Sequence, residues 1–288
     1  MTSETRVVTS RSGLRAAYAD LPPGTRRAAV LTMGALHSGH AHLVREARAR
    51  VGLDGHVSVS VFVNPTQFSP GEDLDRYPRS LEDDVEVCAR EGADLVFAPA
   101  VETVYRDPHP VVTVDPGPLG TLLEGAVRPG HFRGVLTVVH KLFSLLGPDI
   151  ALFGEKDYQQ LVLVRRMVRD LDLPVEVVGV PIVRADDGLA LSSRNAYLSD
   201  GERRLALVVP RALDLGVETA HHGGSARDVV SAVQSHLDAA GVLTDYAVVT
   251  DPELGAPPES GEARLLVAAR VGPVRLLDNA RLDLGGAA

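Results

Sequence analysis

The amino-acid sequence has little of what a secreted, membrane-bound or nucleic-acid-binding protein needs. It has one cysteine, Cys88, so no disulfide can form within the chain and nothing requires an oxidising compartment. No apolar run approaches the ~18 residues of a membrane span, and the N-terminus lacks the apolar segment of a signal peptide. A net charge of −9 argues against nonspecific binding of nucleic acid. These absences predict a cytoplasmic protein without membrane or nucleic-acid partners.

What the chain does have is an ordinary globular composition and enough length for two domains. Hydrophobic residues make up 45% of its 288 residues, which is typical of a protein with a packed core. Residues 1–182 alternate short apolar strands with helical segments, a pattern that predicts an α/β domain with a doubly wound parallel sheet. Residues 183–288 contain two predicted helices followed by three strand-like runs, which predicts a smaller α+β domain.

The most informative motif is TMGALHSGH at residues 32–40. An apolar run precedes it and a helical pattern follows it, so it is predicted to form a tight turn between a strand and a helix. Gly34 and Gly39 allow the backbone to approach a ligand, and amide N–H groups at a helix N-terminus attract anions. His37 and His40 can donate hydrogen bonds to developing negative charge. The motif therefore predicts a phosphate site, although it lacks the lysine and hydroxyl residues of a P-loop.

The motif alone leaves two further roles open for the histidine pair. Histidines three positions apart can bind a metal ion, but such a site needs further ligands. The chain offers only one cysteine and one other close pair of histidines, His221 and His222. The rings of the first pair could also serve only to satisfy local hydrogen bonds.

A second motif, GEKDYQQ, occupies residues 154–160, where another predicted strand meets another helix. Lys156 is a compact positive charge suited to phosphate oxygens. Asp157 could hold Mg²⁺ or a ribose hydroxyl, and Gln160 lies about one helical turn further along the same side, where it could bind a polar substrate. The alternative is structural, because Asp157 and Gln160 also have the spacing of a capping box.

Polar side chains also follow two other predicted turns. Asn64 and Gln67 come directly after a strand-like run, and the motif LSSRN at residues 191–195 follows the turn signal DDG. Amides at a strand end often serve only the turn, and residues 191–195 could form an ordinary exposed loop. However, parallel α/β sheets bind ligands at the carboxyl ends of their strands, where Asn64, Gln67 and the two glycine-containing motifs are all predicted to lie.

Together these motifs resemble those of the pantothenate synthetase family, the pantoate–β-alanine ligases. The resemblance runs from about Leu31 to Asn279 and rests on six segments in a fixed order. The histidine motif alone is common to a whole nucleotidyltransferase superfamily, whereas the six segments together are highly specific. They are TMGALHSGH (32–40), VFVNPTQF (61–68), EDLDRYPR (72–79), RPGHFRGV (128–135), FGEKDYQQ (153–160) and LSSRN (191–195).

The resemblance implies a Rossmann-like first domain, a C-terminal lid domain and a two-step ligation. The pantoate carboxylate attacks the α-phosphorus of ATP, giving pantoyl adenylate and pyrophosphate, and the amine of β-alanine then displaces AMP to form pantothenate. Such chemistry rests on positioning and charge stabilisation, so no covalent enzyme intermediate is needed. The resemblance also implies Mg²⁺ with the nucleotide and a homodimer formed through the first domain.

The resemblance further assigns catalytic and nucleotide-binding roles position by position. His40 is the expected proton donor with His37 as its partner, Lys156 is expected on the phosphates, and Asp157 is expected near Mg²⁺. The residues expected to contact ATP are Met33, Gly34, Ala35, Leu36, His37, Ser38, Gly39, His40, Gly154, Glu155, Lys156, Asp157, Val183, Leu191, Ser192, Ser193 and Arg194.

The same carry-over gives the substrate pocket. Gln67 and Gln160 are expected to bind pantoate through their amides, with Gln67 also near β-alanine and Asn64 supporting the pocket. The sequence departs from the family at Leu191, where methionine is usual, and a swap of similar volume is expected to be tolerated. Two alternatives stay open. One is another nucleotidyltransferase of the superfamily, which would lack the paired glutamines, and the other is a non-catalytic nucleotide-binding protein of the same fold.

Overall fold

The computed structural model describes residues 5–68, 74, 77, 80–107 and 110–286. Packing divides the chain into two compact units. The first comprises Met1–Glu155 and Leu163–Pro181, and the second comprises Lys156–Val162 and Ile182–Ala288. The domain boundary expected after residue 182 stays a prediction. The division by packing differs from it in grouping Lys156–Val162 with the second unit.

The first unit contains a six-stranded parallel sheet. Its strands are β1 (Arg6–Val8), β2 (Arg27–Thr32), β3 (His56–Val61), β4 (Leu95–Phe97), β5 (Ile150–Gly154) and β6 (Glu176–Val180). They lie in the order β1-β4-β3-β2-β5-β6, and every pairing is parallel. The middle strands are short and mostly buried, as strands of parallel sheets are. The predicted α/β class is confirmed.

The sheet reverses its winding at β2. This strand pairs with β3 on one side and with β5 on the other, so the chain adds β3 and β4 in one direction and β5 and β6 in the opposite one. In sheets of this kind, ligands bind beyond the carboxyl ends of the strands at the point of reversal. Thr32 ends β2 and Gly154 ends β5, so both glycine-containing motifs begin at this edge of the sheet.

Helices connect the strands of the first unit. The sequence predicts the longer ones, with an apolar face for α6 and α7, a Ser80 cap for α3 and a helix-like segment after the histidine motif for α2, whereas β1 and α1 were missed. The N-terminal strand has only three residues, too few to show an apolar pattern. The helices are α1 (Arg11–Ala19), α2 (Ser38–Val51), α3 (Leu81–Arg90), α4 (Val101–Val104), α5 (Glu124–Val127), α6 (His131–Leu146) and α7 (Tyr158–Asp170), whose first five residues belong to the second unit.

The second unit packs three helices with a three-stranded antiparallel sheet. Its helices are α8 (Asp200–Ala206), α9 (Val208–His221) and α10 (Ala226–Ala239), and its strands are β7 (Leu243–Thr250), β8 (Gly261–Val271) and β9 (Val274–Leu284), in the order β7-β8-β9. The predicted α+β class is confirmed, but the first of the two predicted helices is divided at Leu207. Pro210 falls in the first turn of α9, a position where proline is tolerated because its missing N–H has no helical partner to lose.

None of the helices in the described part of the chain combines the length and the apolar character that a bilayer span requires.

Candidate functional site

The turn between β2 and α2 is held by the carboxylate of Asp84, from the first turn of α3. The amide N–H of Ala35 donates to Asp84 Oδ2 at 3.1 Å, and that of Leu36 donates to Oδ1 at 2.7 Å. Asp84 is only 2% exposed. Burial raises the pKa of its carboxyl group, and the two amide hydrogen bonds lower it in part. Sequence reasoning missed Asp84, because aspartate in the first turn of a helix is commonplace.

Gly34 is required at this turn for two reasons. Its φ of +88° is one that side chains rarely adopt. A Cβ at this position would also lie 2.8 Å from Asp84 Oδ2 and 3.2 Å from Val61 Cγ1. The side chains of Asp84 and Val61 therefore explain the need for glycine at this position, and the predicted approach of a ligand to Gly34 stays a prediction.

His37 and His40 form a capping box at the N-terminus of α2. Nδ1 of His37 accepts from the amide of Gly39 at 3.1 Å, and Nδ1 of His40 accepts from the amide of His37 at 3.4 Å. A backbone amide can only donate, so each Nδ1 is an acceptor and the neutral rings carry their proton on Nε2. The structural role of the histidines is thus real, and these capping bonds use the Nδ1 atom of each ring.

The backbone of this turn differs from the expected anion cradle. The amides of Ala35 and Leu36 donate to Asp84, and those of His37 and Gly39 donate to the two imidazoles. Four amides that were expected to attract a phosphate are therefore bonded within the protein.

The second group of predicted residues in the first unit lies after β3. Asn64 is 1% exposed and caps the 3₁₀ helix Pro65–Gln67. Its Nδ2 donates to Gln67 Oε1 at 2.9 Å, and its Oδ1 accepts from the hydroxyl of Tyr105 at 2.9 Å. Nε2 of Gln67 lies 3.1 Å from Met33 Sδ. The structure therefore brings Asn64 and Gln67 to the first residue of the histidine turn, and it adds Tyr105, which sequence reasoning missed.

Lys156 and Asp157 belong to the 3₁₀ helix Glu155–Asp157, which follows β5 directly. Nζ of Lys156 donates to Asp157 Oδ1 at 3.2 Å, and the two side chains are 21% and 49% exposed. The backbone of Lys156 is held within the second unit, because Asn279 Nδ2 donates to its carbonyl at 3.1 Å. Arg264 Nε in turn donates to Asn279 Oδ1 at 2.8 Å. Gln160 is half-buried near the start of α7.

The remaining predicted nucleotide contacts also lie in the second unit. The amide of Leu191 donates to the carbonyl of Val183 at 3.0 Å, so the two arms of a short hairpin place these residues side by side. Ser192 caps the next 3₁₀ helix, Ser193–Tyr197, by accepting from the amide of Arg194 at 3.3 Å. Residues 191–194 are half-buried, so this segment is not the fully exposed loop of the structural alternative.

The predicted residues thus fall into two sets by unit. The first unit holds residues 33–40, Asn64, Gln67, Gly154 and Glu155, and the second holds Lys156, Asp157, Gln160, Val183 and residues 191–194. Of the segment EDLDRYPR, only Leu74 and Tyr77 are among the described residues, and its other positions lie outside them.

The described side chains offer no cluster of metal ligands. In the part of the chain that the structure describes, no three or more His, Cys, Asp or Glu residues are grouped so as to hold a metal ion. Among those residues, the histidine pair has no further ligands of the kind that a zinc site needs. Mg²⁺ that binds together with a nucleotide needs fewer ligands from the protein, since phosphates and waters fill most of its coordination. The half-exposed carboxylate of Asp157 has the chemistry of such a ligand.

Comparisons with known sequences agree on one family. The family model described as pantoate-beta-alanine ligase matches residues 6–281. A pantothenate synthetase from Nocardioides sp. is 60% identical over 264 residues, which cover 89% of this chain and 78% of the relative. A pantothenate synthetase from Saccharopolyspora erythraea is 56% identical over 263 residues, which cover 91% of this chain and 85% of the relative.

Comparisons with solved structures give the same family. The crystal structure of pantothenate synthetase from Thermus thermophilus has a TM-score of 0.88 and 50% sequence identity, and it covers 96% of this chain and 99% of its own. Pantoate-beta-alanine ligase from Francisella tularensis, solved in complex with β,γ-ATP and β-alanine, has a TM-score of 0.79 and 30% identity. That match covers 96% of this chain and 97% of the other.

Proposed function

Because the chain belongs to the pantoate-beta-alanine ligase family, we propose that it joins pantoate to β-alanine with ATP as the source of activation. Pantoate is first converted to pantoyl adenylate with release of pyrophosphate, and β-alanine then displaces AMP to give pantothenate. One feature of the structure supports this most directly. The histidine turn is proposed to bind the nucleotide, and the Asn64–Gln67 amide pair is proposed to bind the acid substrate. The two groups meet at Met33.

We propose that residues 33–40 bind ATP and that His37 and His40 act on its phosphates. Adenylation gathers negative charge on the α-phosphate and on departing pyrophosphate. The Nε2–H groups of the two rings can donate to those oxygens, and their Nδ1 atoms are fixed by backbone amides, so the donors are held in place before reaction. His40 is the proposed proton donor, with His37 as its partner.

Lys156 and Asp157 are proposed to serve the phosphates and their metal ion. Lys156 supplies a positive charge for phosphate oxygens, and Asp157 would hold Mg²⁺ together with the nucleotide. Magnesium, when bound, neutralises charge that builds up on the phosphates. Gly154, Glu155, Val183 and residues 191–194 are proposed as further contacts with ATP, those of the second unit acting as a lid.

Gln67 and Gln160 are proposed to bind pantoate, with Asn64 supporting Gln67. A carboxamide donates through nitrogen and accepts through oxygen, so two of them can orient both the carboxylate and a hydroxyl of a small hydroxy acid. Correct alignment of that carboxylate with the α-phosphorus supplies a large part of the rate enhancement in reactions of this kind.

The wider assembly is also a proposal. A homodimer formed through the first unit and a cytoplasmic location are carried over from the family resemblance. Light scattering coupled to size-exclusion chromatography measures the mass in solution directly. A mass close to twice the 30.6 kDa of the chain supports the dimer, and a mass equal to it contradicts the dimer.

The reaction is tested by product formation with the purified protein, ATP and Mg²⁺. We expect AMP and pantothenate in equal amounts only when pantoate and β-alanine are both present. Pantoate alone should support exchange of labelled pyrophosphate into ATP, because the first step is reversible without the amine. Adenylyl transfer to a nicotinamide nucleotide or to phosphopantetheine, without use of pantoate, would favour the alternative nucleotidyltransferase.

A further inference from the structure

The orientation of the buried Asn64 carboxamide is fixed by two backbone groups. Its Oδ1 faces the amide N–H of Thr66 at 3.3 Å, and its Nδ2 faces the carbonyl oxygen of Gly134 at 3.3 Å. A backbone N–H can only donate and a carbonyl can only accept. The two ends of the Asn64 amide therefore cannot be exchanged without making two repulsive contacts inside the protein.

The fixed orientation of Asn64 also fixes that of Gln67. Nδ2 of Asn64 donates to Oε1 of Gln67 at 2.9 Å, so the oxygen of the glutamine is directed into the protein. The nitrogen Nε2 then occupies the other end, 3.1 Å from Met33 Sδ at the start of the histidine turn. Gln67 therefore presents donors at this position, which suits an oxygen of an acid and does not suit the ammonium or amine of an amino acid.

Tyr105 completes this chain of hydrogen bonds. Its hydroxyl donates to Asn64 Oδ1 at 2.9 Å, and the residue is 1% exposed. Burial raises the pKa of the phenol, so the hydroxyl keeps its proton and stays a donor at neutral pH. Asn64 Oδ1 therefore accepts from two groups, the phenol of Tyr105 and the more distant amide of Thr66 at 3.3 Å. Both contacts identify this atom as the oxygen of the carboxamide.

The backbone around Gln67 is held as firmly as its side chain. Nδ1 of His131 donates to the carbonyl of Gln67 at 2.9 Å. Helix α6 also approaches closely, because a Cβ at Gly134 would lie 2.2 Å from the carbonyl oxygen of Thr66. Neither the main chain nor the side chain of Gln67 can easily turn, so the direction of its amide is a stable property of the fold.

We infer that Tyr105 is a positioning residue for the acid substrate, acting through Asn64 to keep the nitrogen of the Gln67 carboxamide directed at a substrate oxygen. The inference rests on the proposed function and sharpens it in one respect. Gln67 recognises pantoate by donation, and β-alanine is not bound through its amine by this group.

The test is a double-mutant cycle on pantoate use, measured by steady-state formation of pantothenate. Tyr105→Phe removes only the hydroxyl, and we expect it to raise the KM for pantoate about five- to tenfold, the size of one buried hydrogen bond. The KM values for ATP and β-alanine should change less than about twofold, because Tyr105 acts through the amide that is proposed to bind pantoate. In a Gln67→Ala background, Tyr105→Phe should have no further effect on the KM for pantoate, since the group it positions is absent.

Tyr18→Phe provides the matched control. Tyr18 is a half-buried tyrosine of the first unit, and its hydroxyl is 2.9 Å from Ser58 Oγ in the middle of strand β3. It should leave the KM for pantoate unchanged even if it lowers stability. An equal rise in all three KM values, or full additivity with Gln67→Ala, would overturn the inference alone. Failure of the wild-type protein to make pantothenate would overturn both the inference and the proposed function.

Discussion

Asp84 and Asn64 are almost fully buried, and each accepts at least one hydrogen bond from the backbone of a turn that carries proposed site residues. A buried donor or acceptor left without its partner costs about 1–3 kcal/mol. The two side chains therefore fix the turns against local rearrangement. At the scale of single residues, the geometry of the candidate site depends on polar groups such as Asp84 that sequence patterns do not single out.

The proposed contact of Lys156 with phosphate oxygens can be tested by a single substitution. Lys156→Ala should keep the fold, because the described hydrogen bonds of its Nζ are to the half-exposed carboxylate of Asp157. Pantoate-dependent exchange of pyrophosphate into ATP should fall by about 10²–10³, the usual effect of removing one charge-stabilising donor.

Arg169→Ala is the control for that variant. Arg169 lies near the other end of α7, and its side chain is 66% exposed beside Asp170. It should exchange pyrophosphate at the wild-type rate. Near-normal exchange by Lys156→Ala would refute the role of this lysine in adenylation.

Helix α2 is flanked by two glycines whose replacement by alanine can be compared. Gly34 precedes the helix and Gly52 follows it, and both have positive φ values, +88° and +69°. A Cβ at Gly52 meets nothing within 4 Å, whereas a Cβ at Gly34 meets Asp84 at 2.8 Å. Alanine at either position should lower stability by about 1–3 kcal/mol through backbone strain.

Only Gly34→Ala should also disturb nucleotide use. Displacement of Asp84 releases the amides of Ala35 and Leu36 and alters the turn that begins the histidine motif. We expect a clear rise in the KM for ATP with Gly34→Ala and an unchanged KM with Gly52→Ala, compared at a temperature where both variants are folded. The same KM for ATP in both variants would show that the turn does not need this clamp.

Elements with a strong apolar period were predictable from the sequence, and short or interrupted ones were not. Strands β2 and β3 and helices α2 and α6 follow apolar runs that local periodicity identifies. The three-residue strand β1 and the break at Leu207 depend on contacts and helix caps, which cannot be read from the spacing of apolar residues. The side chains of the candidate site differ in the same way: local motifs single out the predicted site residues, which stay predictions, whereas Asp84 and Tyr105 belong to no recognised motif and were missed.

The stability of the whole first unit should depend on pH through His56. This histidine starts β3, is 8% exposed, and has an Nε2 without a hydrogen-bond partner among the described residues. Burial lowers its pKa below the ordinary 6.5, and the nearby carboxylate of Asp94 opposes that shift only in part. In the unfolded chain His56 therefore binds a proton more readily than it does in the folded protein.

The sign follows from that difference in proton uptake. A lowered folded-state pKa means that the stabilisation is complete above about pH 6.5 and is lost as the pH falls toward the folded value. Chemical denaturation at about pH 7.5 and about pH 5.5 should show a fall in unfolding free energy on acidification. His56→Gln should reduce that fall, while the same change at the exposed His221 should not. An equal pH dependence in all three proteins would contradict the assignment.

The α/β class, the family and the glycine-containing motifs could be recognised without a structure, because apolar periodicity and motif spacing are local properties of the chain. The contacts that hold those motifs in place depend on how distant segments pack. Asp84 reaches Ala35 and Leu36 across 48 or more residues, and Tyr105 reaches Asn64 across 41. A hydrogen bond at such a separation exists only after the sheet has packed with its helices. Its partners are therefore set by the fold, and the local pattern of residues does not contain them.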